Sequence, residues 1–169
     1  MGQFIPSWCM RIPSSISQQA VDIVRCWVSN GTWFWWGTDI GQLRPVEVVQ
    51  LYEKNGFLFL ETDTGDEGWG LTVDEAVRKL KETTPGQIYL DTADYLLIED
   101  GLGEYLPAVR SYLKKGTGMA YGPEEVDLQD AAAYLRVHRP TENVGNSSNP
   151  AEKLVFEGGK IILKNIKEK

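Results

Sequence analysis

The chain has 169 residues, 42% of them hydrophobic and 24% charged, with a formal net charge of −7. That length and composition fit one globular core and exclude a wholly disordered chain. The negative balance opposes binding to nucleic-acid phosphates, and no apolar run approaches the ~20 residues of a membrane-spanning helix.

Residues 1–16, with Pro6, Pro13 and three serines, read as an irregular lead-in. Ser17 is placed to cap a helix running to about Ser29, with Ala20, Val21, Val24, Trp27 and Val28 on one face. Asn30-Gly31 ends it. Trp33-Phe34-Trp35-Trp36 then suits a strand, and Gly37 to Pro45 reads as a loop. Val46–Glu53 and Phe57–Asp63 flank Asn55-Gly56, the pair that supplies the positive φ angles of a tight hairpin turn. Thr64 to Gly70, with three glycines and two acids, reads as a loop.

Thr72 and Glu75 form a capping box ahead of Val73, Ala76, Val77 and Leu80, which lie on one helical face. Pro85-Gly86 stops that helix. Gln87–Leu90 and Tyr95–Ile98 are strand-like. A right-handed crossover is expected from Phe57–Asp63 through the helix to Gln87–Leu90. A second helix begins near Tyr105 or Leu106, since Pro107 is tolerated only in a first turn, with Val109, Tyr112 and Leu113 continuing its face. Gly118–Tyr121 reads as a short strand, and Asp127 caps a third helix that buries Leu128, Ala131, Ala132 and Leu135. Residues 141–150 are linker-like, and Leu154–Glu157 and Lys160–Leu163 flank Gly158-Gly159 as a second hairpin.

The expected fold class is α+β, with a mixed or antiparallel sheet of roughly four to six strands packed with about four helices. Residues 1–140 form one domain, 141–150 a linker, and 151–169 a hairpin that is an edge-strand pair or the start of a further module.

Chemistry is sparse. His138 is the one histidine, and it sits at a helix end between arginines. Cys9 and Cys26 have no metal-ligand spacing, so neither a metal nor any other cofactor is expected. Asp63, Asp91, Asp94 and Glu99 are the carboxylates available for acid/base work. Glycan hydrolysis would pair Asp91 or Asp94 with Asp63 or Glu99. Gly65, Gly68 and Gly70 precede a helix, but Asp66, Glu67, Asp74 and Glu75 oppose phosphate there. The aromatic residues Trp33, Phe34, Trp35 and Trp36, with Trp69, are the interaction candidates. They fill a core, meet a protein partner or stack on a sugar.

The run Tyr52–Asp63, then Leu71-Thr72-Val73-Asp74-Glu75-Ala76-Val77-Arg78-Lys79-Leu80, then Ile88–Glu99, resembles the N-terminal domain of the Ger(x)C spore-germination proteins. There a hairpin precedes a T-x-x-E-A-x-x-x-L helix, followed by strands and a further helix. The Leu154–Leu163 hairpin is similar to the family's V-F-x-x-x-K-L strand. The resemblance implies a non-enzymatic subunit of a nutrient-sensing receptor at the spore membrane, and it carries no active-site residue. The family's lipidated cysteine follows an apolar segment, which Cys9 lacks, and Trp33–Trp36 has no counterpart in it. With no signal or transmembrane segment read from the residues, the expectation outside that resemblance is a cytoplasmic module that binds a protein, or alternatively a sugar.

Overall fold

The computed structural model describes residues 28–29, 32–33, 43–123 and 126–166. They belong to two units, one within residues 1–40 and one within residues 41–169. In the first, β1 (Val28–Ser29) pairs antiparallel with β2 (Thr32–Trp33). Val28 and Ser29 are thus strand, where a helix end was expected, and the β-branched Val28 and Thr32 suit that state. The rest of that expected helix, and Phe34, Trp35 and Trp36, lie outside the described residues.

The second unit is organised by the Asn55-Gly56 turn. Both residues have positive φ, 54° and 79°, and they join β4 (Val48–Lys54) to β5 (Phe57–Thr62) as the sequence predicts. β6 (Glu67–Gly70) extends the hairpin antiparallel to β5. This segment is a strand, not the expected loop, because its glycines serve packing. A Cβ on Gly68 would lie 2.2 Å from the Ala76 carbonyl oxygen, so the absence of a side chain lets helix α1 (Val73–Thr83) rest directly on β6. The Thr72 cap forms as predicted. Thr72 Oγ1 accepts from Glu75 N–H at 3.2 Å, while the Glu75 carboxylate accepts from Leu71 N–H.

After α1 the chain forms β7 (Gln87–Tyr89), which pairs in parallel with β3 (Leu43–Pro45) as a separate two-stranded sheet. The expected crossover from β5 to this segment is therefore not formed. The connection that crosses over leaves β6, passes through α1 and a 3₁₀ turn, and arrives at β8 (Tyr95–Ile98), which lies parallel to β4. Helix α2 (Leu106–Arg110) stops before Tyr112 and Leu113, and leads to β9 (Gly118–Tyr121), parallel to β8. Asp127 caps α3 (Leu128–Val137), accepting from the N–H groups of Gln129 and Asp130. β10 (Glu152–Glu157) pairs with β9 at Lys153↔Tyr121, and β11 (Lys160–Asn165) pairs antiparallel with β10.

The result is an α+β architecture whose main sheet has seven strands, β11-β10-β9-β8-β4-β5-β6, more than the sequence reading allowed. Three α-helices occur among the described residues. Strand alternation divides the core cleanly. Val49, Leu51, Leu96, Ile98 and Met119 face α1 and α2, and Val48, Tyr95, Leu97 and Ala120 face α3. Between α3 and β10 the chain runs along the start of β9, where Met119 N–H donates to Glu142 O and Val144 N–H to Thr117 O. Val144 itself enters the core under α1 and α2.

Candidate functional site

β5 opens Phe57-Leu58-Phe59-Leu60, four apolar residues in a row, ahead of Glu61 and Thr62. Alternation buries Leu58 and Leu60 beneath α1 and sends Phe57 and Phe59 to the opposite face. Ladder registers then set three rows across β4, β5 and β6. Gln50, Glu61 and Glu67 form the first, and Tyr52, Phe59 and Trp69 the second; Lys54 and Phe57 form the third.

The middle row is built by ring contacts. Tyr52 stacks on Phe59 at 5.3 Å, and Trp69 meets Phe57 edge-on at 5.7 Å. The Lys79 ammonium stands 5.9 Å from the Trp69 ring centre, within cation–π range. Among the described residues helix α3 packs on β4, while on β5 and β6 Trp69 is 47% and Phe57 38% exposed. In the first row Glu61 stands directly opposite Glu67. Burial, then the Glu67 charge, then Asp127 at the start of α3, push its carboxyl pKa up.

Of the sequence-stated candidates, Trp69 therefore lies in this surface. Trp33 belongs to β2, and Phe34, Trp35 and Trp36 lie outside the described residues. Of the four carboxylates, Asp63 and Asp94 lie on either side of Glu47, and Glu99 stands apart from them. Asp63 Oδ1 accepts from the backbone N–H groups of Glu47 and Val48, closing the turn before β4. Asp94 pairs with Lys114. Glu99 accepts from Glu53 N–H at the other end of β8, roughly 16 Å along the strand from Asp94. Between Asp63 and Asp94 runs Glu47, whose carboxylate is held by Arg136. Asp91 lines an open cleft of about 430 Å³ with Tyr89, Ser111, Tyr112 and Lys81. The His138 ring stacks on Tyr134 at 4.6 Å. Among the described residues no group of His, Cys, Asp and Glu is arranged to hold a metal ion, and no helix is long and apolar enough to cross a membrane.

Tyr52, Phe57, Phe59 and Glu61 were not singled out from sequence. The available signal was the unbroken Phe57–Leu60 run beside a tight turn, since a strand apolar on both faces needs two covers. No family model, no curated protein and no solved structure matches the chain.

Proposed function

We propose that the chain is a non-catalytic interaction module that engages a protein through the aromatic face of β4, β5 and β6. The observation that carries this is the Trp69–Phe57 pair, half-exposed and edge-to-face. Large rigid rings bury much area at little entropy cost, which is why aromatic residues dominate interface energetics. The engaged carboxylates Asp63 and Asp94, and the remote Glu99, favour binding over acid/base catalysis. A role as a receptor subunit at the spore membrane, implied by the Ger(x)C resemblance, belongs to the same proposal.

The test is co-purification from the source cells with the Phe57→Ala/Trp69→Ala double variant. Both side chains are partly solvent-exposed, so the thermal midpoint should fall little. A protein retained by the wild type should be depleted about tenfold or more, matching the loss of a hot spot. Equal retention by a folded double variant would overturn the proposal.

A further inference from the structure

Pro45 decides which way β7 presents its backbone. β7 pairs in parallel with β3 in the register Leu43↔Gln87, Arg44↔Ile88 and Pro45↔Tyr89. In a parallel ladder a residue bonds to the positions on either side of its opposite number, and the next residue turns its N–H and C=O the other way. Were Ile88 turned toward β3, its carbonyl would need the N–H that Pro45 lacks. Ladder pairing therefore falls to Gln87 and Tyr89. Thr92 Oγ1 agrees with this, since it accepts from the N–H of Val46, the residue after β3, and donates to Tyr89 O at 2.7 Å. The Ile88 N–H and C=O thus point away from β3. Ile88 is 5% exposed and its side chain belongs to the core, so this is a nearly buried polar pair with no partner among the described residues. On that side lies the cleft of about 430 Å³, which Ile88 lines and no residue of β3 does.

We propose that this cleft binds a short peptide with both ends free, extended antiparallel to β7. Ile88 exchanges its two hydrogen bonds with one peptide residue, as a bonded pair does in an antiparallel ladder. The charges of the lining fit that direction. β7 runs from Gln87 to Tyr89 and on to Asp91, so an antiparallel peptide brings its terminal ammonium to the Asp91 carboxylate. Its carboxylate then lies at the Gly86 end, which follows α1, where Lys81 stands in the last helical turn. Lys81 Nζ is 5.7 Å from the Tyr112 ring centre, and the Tyr112 hydroxyl donates to Asp74 at 2.6 Å, which holds that wall in place. Neighbouring charges are already paired, Arg78 and Lys79 with Glu82 and Asp94 with Lys114, and neither Lys81 nor Asp91 shares those pairs. Three extended residues span about 10 Å, the length of β7, and the cleft is of a size ordinary for ligand sites. Neither Phe57 nor Trp69 lines it, so the inference stands apart from the interaction-module reading.

Titration of the intact, isotope-labelled chain with tri-alanine, followed by amide NMR shifts, tests this. Saturable binding with a Kd of about 0.1–10 mM is expected, with the largest shifts at Ile88 and its neighbours in β7. Tri-alanine acetylated at its N-terminus and amidated at its C-terminus should bind about tenfold more weakly or worse. Asp91→Asn and Lys81→Met, both at exposed positions, should each weaken the free-ended peptide about threefold or more. The Phe57→Ala/Trp69→Ala variant should bind it as the wild type does. No saturation by about 50 mM, or equal binding of the blocked peptide, overturns the inference. So does indifference to both charge variants. Loss of the peptide in Phe57→Ala/Trp69→Ala, with shifts centred on Trp69, would place the ligand on the aromatic face and also overturn it. None of these failures removes the interaction-module reading, which the co-purification decides separately.

Discussion

Gly65, Gly68 and Gly70 look alike in a sequence, yet they are used differently. Gly65 adopts φ 78°, a turn conformation. Gly68 needs no unusual φ. It is glycine because the Ala76 carbonyl oxygen and Leu80 nitrogen of α1 stand 2.2 and 2.4 Å from where its Cβ would be. Those atoms are backbone and cannot rotate away. Gly68→Ala should therefore cost about 3 kcal/mol or more of stability, measured by denaturant unfolding. Gly116→Ala, with open space around the position, should change stability by less than about 0.5 kcal/mol. The two uses share one letter, and this is why a packing strand was read as a loop. By contrast Asn55-Gly56, Thr72 and Asp127 were legible, because their chemistry is local. A tight turn and two helix caps need only a few neighbouring residues.

Among the elements, the β5–β6 ladder carries an internal conflict. Glu61 and Glu67 are placed directly opposite each other by the register that puts Phe59 beside Trp69. The raised carboxyl of Glu61 has a defined sign for stability. Its folded pKa lies above its unfolded one, so between the two values the native state binds more protons. Its contribution to stability is greatest below the unfolded pKa and is lost as pH rises through the folded one. Glu61→Gln should accordingly raise the thermal midpoint at neutral pH, and the gain should shrink as pH is lowered toward about 4. A gain independent of pH would show that amide packing, not charge, is responsible. Pattern reading found the hairpin but not this row, since opposing residues are assigned only once β6 is known to pair. The same limit applies to the short α2, where Tyr112 and Leu113 fit the helical spacing although the helix ends at Arg110.

For the molecule as a whole, the C-terminal hairpin is attached unevenly. β10 shares one ladder position with β9, Lys153↔Tyr121. Its neighbour Leu154 is fully buried under α3 with Ala120 and Leu135. The strap before it is tied by Gly145 N–H to Lys115 O and by Arg110 to Ser147 O. Leu154→Ala should lower global stability by about 2–5 kcal/mol, as a large cavity does when the hairpin unfolds with the core. A loss below about 1 kcal/mol, with hydrogen exchange faster only in β10 and β11, would make the hairpin an accessory flap. Nothing local in residues 141–150 signals that Val144 enters the core, because a linker-like composition says little about what a single valine touches.

The placement of β4 has a consequence for synthesis. Its neighbours β5, β6 and α1 follow immediately in the chain, so that part can form early. The other edge of β4 is parallel to β8 and stays open until Tyr95–Ile98 has left the ribosome. Residues 48 to 52 are all buried in the finished protein. In the growing chain the same segment is an uncapped strand, sticky on its free side. The interval between α1 and β8 is therefore when aggregation during translation is to be expected, and when a holding chaperone would act.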